Sequence, residues 1–264
     1  MAKITRAQRV KKAVRKPAAR SLPPKSAKAK VKPKPQPKLK PTAKQAARPK
    51  RPKPWTAEEV REAFVRFRKA NPVPRGELEH LNPYTLLVAV VLSAQATDAG
   101  VNKATRELFR LADTPQKMLA LGEAKLRDYI KTVGLYRNKA KNVIALSGKL
   151  IRDFGGEVPR TRAEIEQLPG AGRKTANVVL NVAFGEHTMA VDTHVFRVAN
   201  RTGLAPGRTP LEVELGLEKV IPQEFMLHAH HWLILHGRYT CLARKPRCEL
   251  CLINDLCQWP EKTV

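Results

Sequence analysis

Lys174, Asp192 and four clustered cysteines are the residues whose types and positions can do chemistry in this chain. Lys174 follows Leu168-Pro-Gly-Ala-Gly-Arg173 and opens an apolar-rich run through Val178, Val179, Leu180 and Val182, whose spacing reads as a helix. Gly170 and Gly172 permit a tight turn ahead of it. The helix start then presents free backbone N–H groups, which suit a phosphate without reading sequence. The positive end of the helix dipole and the neighbouring Arg173 both act against an ammonium, favouring a neutral amine able to attack a sugar carbon and form a Schiff base. The plainer role is a lysine that merely contacts phosphate, in an ordinary helix–turn–helix corner.

Asp192 precedes another helical run, carrying Val195, Val198 and Ala199, and on local grounds is its N-cap. Reach along the chain makes it more than that. The helix from Lys174 to Phe184 rises about 15 Å, and the connector 185–191, if extended, spans roughly 23 Å. The chain can therefore run back beside the helix and return Asp192 to the level of Lys174. Upstream, Thr161 and Glu164 make a capping box for a short helix with Ile165 and Leu168, and Pro169 stops it.

All four cysteines lie in one stretch, Cys241-x6-Cys248-x2-Cys251-x5-Cys257. With no secretion signal ahead of them, such crowding points to a metal site rather than disulfides. Zinc sites usually show two close pairs separated by a longer loop, whereas only one close pair is present here. A compact loop around a [4Fe–4S] cube fits the spacing better, with zinc or free thiols as alternatives. Arg244, Lys245 and Arg247 lie between the first two cysteines and would give the loop a cationic, phosphate-facing surface. His228, His230, His231 and His236 resemble a metal cluster in composition, but their helical spacing favours packing and hydrogen bonding.

The elements that must position these groups are helical. Thr56 with Glu59 forms a capping box ahead of Val60, Phe64 and Phe67 on one face. Helical spacing continues over 83–94, 101–111, 126–132, 139–154, 173–184, 195–201 and 211–220, with breaks at Gly134, Gly155-Gly156, Pro169 and Gly185. No alternating strand pattern and no internal repeat is visible, so the expected fold class is all-α. The apolar run 86–94 is far short of the ~20 residues that span a membrane, and reads as a buried helix.

Charge divides the chain in two. It carries 50 Lys+Arg against 23 Asp+Glu, a net of +27. Residues 1–54 hold 20 of the basic residues, no acidic ones and ten of the 21 prolines, which leaves the remainder at +7. Such a Lys/Ala/Pro-rich segment cannot bury enough apolar surface to offset its chain entropy, so a disordered basic arm is expected. It would bind polyanions, or act as a solubilising tail or a targeting segment. No signal for export is present.

Several stretches resemble the bacterial endonuclease III family: Ser93-Ala-Gln-Ala-Thr-Asp98, Gly134-Leu-Tyr136, Leu168-Pro-Gly-Ala-Gly-Arg-Lys-Thr-Ala-Asn-Val178, Val191-Asp-Thr-His-Val-Phe-Arg-Val198 and His231-Trp-Leu-Ile-Leu-His-Gly-Arg-Tyr-Thr-Cys241. The resemblance covers about residues 56–259, and only the basic arm lies outside it. It implies a helix-hairpin-helix DNA glycosylase of two helical domains, one over 76–187 with the hairpin, the other from 55–75 and 188–264 with a [4Fe–4S] loop held by Cys241, Cys248, Cys251 and Cys257. It implies removal of oxidised pyrimidines from double-stranded DNA and 3′ cleavage of the abasic site by β-elimination. Lys174 would attack C1′ and Asp192 would assist electrostatically. Gln95 and Leu135 would fill the gap left by the everted base, while Gly170, Gly172, Arg173, Arg244 and Lys245 would contact DNA. Ala171 stands where the family commonly has valine, and Glu166 matches an acidic residue ahead of the hairpin. A monomer in the bacterial cytoplasm, associated with the nucleoid and not with membranes, is implied as well. An adenine-specific monofunctional DNA glycosylase shares the hairpin and cluster but typically lacks the hairpin lysine and carries a further C-terminal domain. A non-enzymatic, metal-containing DNA-binding protein would share the arm and the cysteine loop.

Overall fold

The computed structural model describes residues 53–263, so the expectation of a disordered arm over 1–54 lies almost wholly outside the described residues. Those residues form ten α-helices and no strand, which agrees with the all-α expectation. The helices are α1 (Ala57–Ala70), α2 (Pro83–Ser93), α3 (Asp98–Leu111), α4 (Pro115–Ile130), α5 (Tyr136–Phe154), α6 (Arg162–Ile165), α7 (Arg173–Phe184), α8 (Thr193–Thr202), α9 (Pro210–Val220) and α10 (Gln223–Tyr239), with a 3-10 turn at Cys248–Leu250.

Two apolar cores organise them. The first gathers residues between Tyr84 and Leu180 around α2, which is apolar on every side and buried from Tyr84 to Leu92. A helix with no polar face has no surface position to occupy, so α3, α5 and α7 pack around it. The second core takes Trp55–Phe67 from α1 and its lead-in, then Met189–Ile253 from α8, α9, α10 and the C-terminal loop. Phe64 stacks on Phe225 at 5.7 Å between ring centroids. Trp55 Nε1 donates to the Thr202 carbonyl and Trp232 Nε1 to that of Asn71, each at 2.8 Å, so the N-terminal helix is tied to the C-terminal half.

Helix starts follow their caps. Thr56 and Glu59 form the reciprocal capping box that was expected. α3 begins at Asp98 rather than Val101 because Thr97 caps it, and α8 begins at Thr193 because Asp192 does. α4 starts at Pro115, well before the expected Leu126: Thr114 caps it, and Gly122 (φ 80°, ψ 160°) kinks it, which masked its period. α10 was absent from the periodic runs because its buried face includes His230, His231 and His236.

Candidate active site

The connector after α7 does run back beside it. Asn181 Nδ2 donates to the carbonyl of Glu186 at 2.9 Å, Asn177 Nδ2 to that of Met189 at 2.8 Å, and Thr188 Oγ1 to that of Asn177 at 2.6 Å. Moving toward the start of α7, partners therefore advance along the connector, so the chain returns toward the end of α7 that carries Lys174. Both asparagines are buried in an otherwise apolar helix. A buried amide persists only when hydrogen-bonded, so Asn177 and Asn181 within an apolar run are the sequence signal for this packing.

Asp192 is the N-cap of α8: Oδ1 accepts the N–H groups of His194 and Val195, both at 2.8 Å. Oδ2 carries no hydrogen bond from another described residue. Lys174 is exposed and forms no ion pair among the described residues. It lines a cleft, partly open to solvent, together with Ser93, Asp98, Val178, His230, His231 and Arg238. His230 feels both reactive candidates. Burial pushes its imidazole down first, then the adjacent His231; the Asp192 charge raises it and the Lys174 charge lowers it. Burial likewise pushes His231 down to about 4. The cleft is therefore floored by neutral imidazoles, and Nδ1 of each is buried without a hydrogen-bond partner. At the mouth, Arg238 donates to Asp98 Oδ2 at 2.6 Å and also to Glu77.

Gly170 has φ +82°, and a Cβ there would lie 3.0–3.2 Å from Asn142 and Val91, so only glycine allows the hairpin to close against α2 and α5. Gly172 is the N-cap of α7 and supplies no side-chain cap. The N–H groups of the first turn are thus left for an external acceptor. Seven helices have side-chain caps; α5, α7 and α10 do not, and the N-cap residues of α5 and α7 are Leu135 and Gly172. Arg173, expected to contact DNA, also pairs within the protein: its Nε donates to Glu214 Oε1 at 2.9 Å, and its Nη2 lies 2.8 Å from the same oxygen as an ion pair.

Gln95 and Leu135 stand on neighbouring loops: a Cβ on Gly134 would lie 3.5 Å from the Gln95 carbonyl oxygen. Lys139, buried on α5, reaches across to donate to the Leu92 carbonyl at 2.9 Å. A cation at the C-terminus of α2 suits that helix dipole. Both Gln95 (φ 57°) and Leu135 (φ 58°) are left-handed and exposed. Lys245 (φ 48°) is the third described non-glycine residue with positive φ. Each conformation costs on the order of 1–3 kcal/mol, and all three fall on positions expected to meet DNA.

The four cysteines line one small pocket with Arg201, His236 and Trp259. No disulfide joins them. Burial pushes the Cys251 thiol up to about 11, with the other three cysteines adding to the rise, and burial also raises Cys257. Four thiolates here need a compensating metal charge. No three His, Cys, Asp or Glu side chains among the described residues converge closely enough for one ion. The spacing of the cysteines along the chain suits a [4Fe–4S] cube, which takes one thiolate at each iron. Arg201 donates to Cys241 Sγ at 3.5 Å and to the Leu242 carbonyl at 2.7 Å, and Arg197 Nη2 to the Gly237 carbonyl at 2.7 Å. The helix capped by Asp192 therefore also braces the cysteine loop. Arg244 and Lys245 are exposed on that loop.

Comparison with known proteins agrees with this layout. Residues 88–223 match the family model described as HhH-GPD superfamily base excision DNA repair protein, and residues 241–257 match the iron-sulfur binding domain of endonuclease III. Endonuclease III of Haemophilus influenzae and that of Escherichia coli K12 are each 58% identical over 201 residues, 76% of this chain and 95% of theirs. A trapped endonuclease III–DNA covalent intermediate superposes with a TM-score of 0.72 at 48% identity, covering 77% of this chain and 96% of that one. A thermostable thymine-DNA glycosylase gives a TM-score of 0.68 at 26% identity, covering 77% and 95%.

Proposed function

Because the chain belongs to the endonuclease III family, within the HhH-GPD superfamily of base excision DNA repair proteins, we propose that Lys174 and Asp192 carry its reaction. The protein is a DNA glycosylase and abasic-site lyase that binds DNA and holds a [4Fe–4S] cluster. Its substrates are duplexes with oxidised pyrimidines or abasic sites, and it works as a monomer on nucleoid DNA.

Lys174 Nζ attacks C1′ of the damaged nucleoside, the base leaves, and the resulting Schiff base permits β-elimination on the 3′ side. Asp192, held at the head of α8 with Oδ2 unencumbered, stabilises the positive charge that grows on the sugar. Eversion of the base is cheapest where damage has weakened its stacking and pairing. Gln95 and Leu135 occupy the gap, the uncapped start of α7 receives a phosphate, and Arg244 and Lys245 add backbone contacts. The cluster, when bound, ties the four sulfurs together and so shapes that loop. The domain division at about 75 and 187 follows the two cores.

The observation that supports this reading is the Asn177 and Asn181 ladder, which returns the connector along α7 toward the end that carries Lys174. The adenine-specific alternative lacks support, since the hairpin lysine is present. Borohydride trapping on an abasic duplex tests the proposal: wild type should form a covalent adduct and Lys174→Ala should fall to background. An adduct of wild-type yield from Lys174→Ala would sink it. The basic segment 1–54 adds electrostatic affinity. Its deletion should weaken binding and flatten the salt dependence while single-turnover chemistry survives, and an unchanged salt slope would remove that role.

A further inference from the structure

Arg173 sits beside the nucleophile with its side chain 38% exposed, and its Nε donates to Glu214, whose side chain is only 5% exposed. One turn further along α9, Glu218 lies 3.8 Å from Arg162 Nη2. Arg162 in turn donates from Nε to Asn177 Oδ1 at 2.7 Å, and Asn177 is the residue that holds the connector. Both arms of the hairpin, α6 and α7, thus send an arginine to successive turns of α9. Glu218 is itself partly buried, and burial followed by the Glu214 charge raises its carboxyl, so the two arginines are the compensation that α9 requires.

We propose that Arg162, Arg173, Glu214 and Glu218 form a clasp that fixes the hairpin against the second core, and that Arg173 and Glu214 are positioning residues for Lys174. The clasp rests on the assignment of Lys174 above. Lys174 belongs to a helix of the first core and Asp192 heads a helix of the second. The asparagine ladder sets their register along the connector, and the clasp sets the separation between the two helices. Arg173 is partly open to solvent, but removing it would strand the buried carboxylate of Glu214, which a dedicated phosphate contact would not do.

The test uses the full chain with its cluster and compares Glu214→Gln, Arg173→Gln and the double variant by single-turnover borohydride trapping and by DNA affinity across salt. Each single variant should trap more slowly by on the order of tenfold to a hundredfold, the usual cost of displacing a reacting group by about 1 Å. Affinity and salt slope should match wild type, and the double variant should lose no more than Arg173→Gln alone, since two neutral amides strand no charge. A phosphate-contact role would show the reverse: Arg173→Gln would bind more weakly, its salt slope would fall by about one, and its trapping rate at saturation would be unchanged. That result overturns the clasp, as does trapping at wild-type speed by Glu214→Gln. Should Glu214→Gln not fold with its cluster, Arg173→Lys keeps the cation but loses the paired donors, and is read by the same two outcomes. Wild type and Lys174→Ala run alongside, so a failed lysine assignment shows as a loss of contrast between those two and not as a failure of the clasp.

Discussion

The hairpin and the cysteine loop both bring backbone and positive charge to a surface, but they are held in different ways. The hairpin closes on protein alone: Gly170 fits against Val91 and Asn142, Ile165 and Leu168 are buried, and α7 extends it as a regular helix. The loop 241–257 has one 3-10 turn of three residues, and of its side chains only Cys241 and Ile253 are fully buried. What shapes it is sulfur ligation from within and arginines of α8 from outside. The proposed reactive lysine therefore sits where packing is self-sufficient, and the proposed DNA contacts at Arg244 and Lys245 sit on a loop with little buried side chain of its own.

Removal of the cluster should break this contrast most visibly. Metal sites in small loops supply folding free energy on the order of 10 kcal/mol, so Cys251→Ala should abolish the visible iron–sulfur absorbance and hydrogen-exchange protection across 241–257. Protection in α2, α5 and α7 should persist, and its collapse would mean that the two regions are not independently held. Asp192→Asn probes the other side. Asparagine caps a helix as well as aspartate does, so the melting temperature should barely move. The loss of charge should slow single-turnover base excision by about 10²–10³-fold; a matching fall in melting temperature would assign the residue to capping alone. The smallest effect is expected at Leu135, 60% exposed and left-handed. Leu135→Gly should stabilise the fold by roughly 0.5–1 kcal/mol as backbone strain is relieved, yet weaken binding to damaged duplex. A stability loss in thermal melts would show that the leucine serves packing.

Sequence alone determined the helical class, the capped starts of α1 and α6 and the glycine turn before Lys174, because caps and turns are local. It also allowed Asp192 to return toward Lys174, since chain length limits reach. Tertiary structure decided the rest. The buried amides of Asn177 and Asn181, the reach of Lys139 to α2 and the pairing of Arg173 with Glu214 all join residues far apart in sequence or hidden in apolar runs. Side-chain type announces that a charge needs a partner, but only packing chooses which one. Arg173 is the example: the hairpin motif makes a cation next to Lys174 legible, but only the tertiary structure pairs it with the buried carboxylate of Glu214.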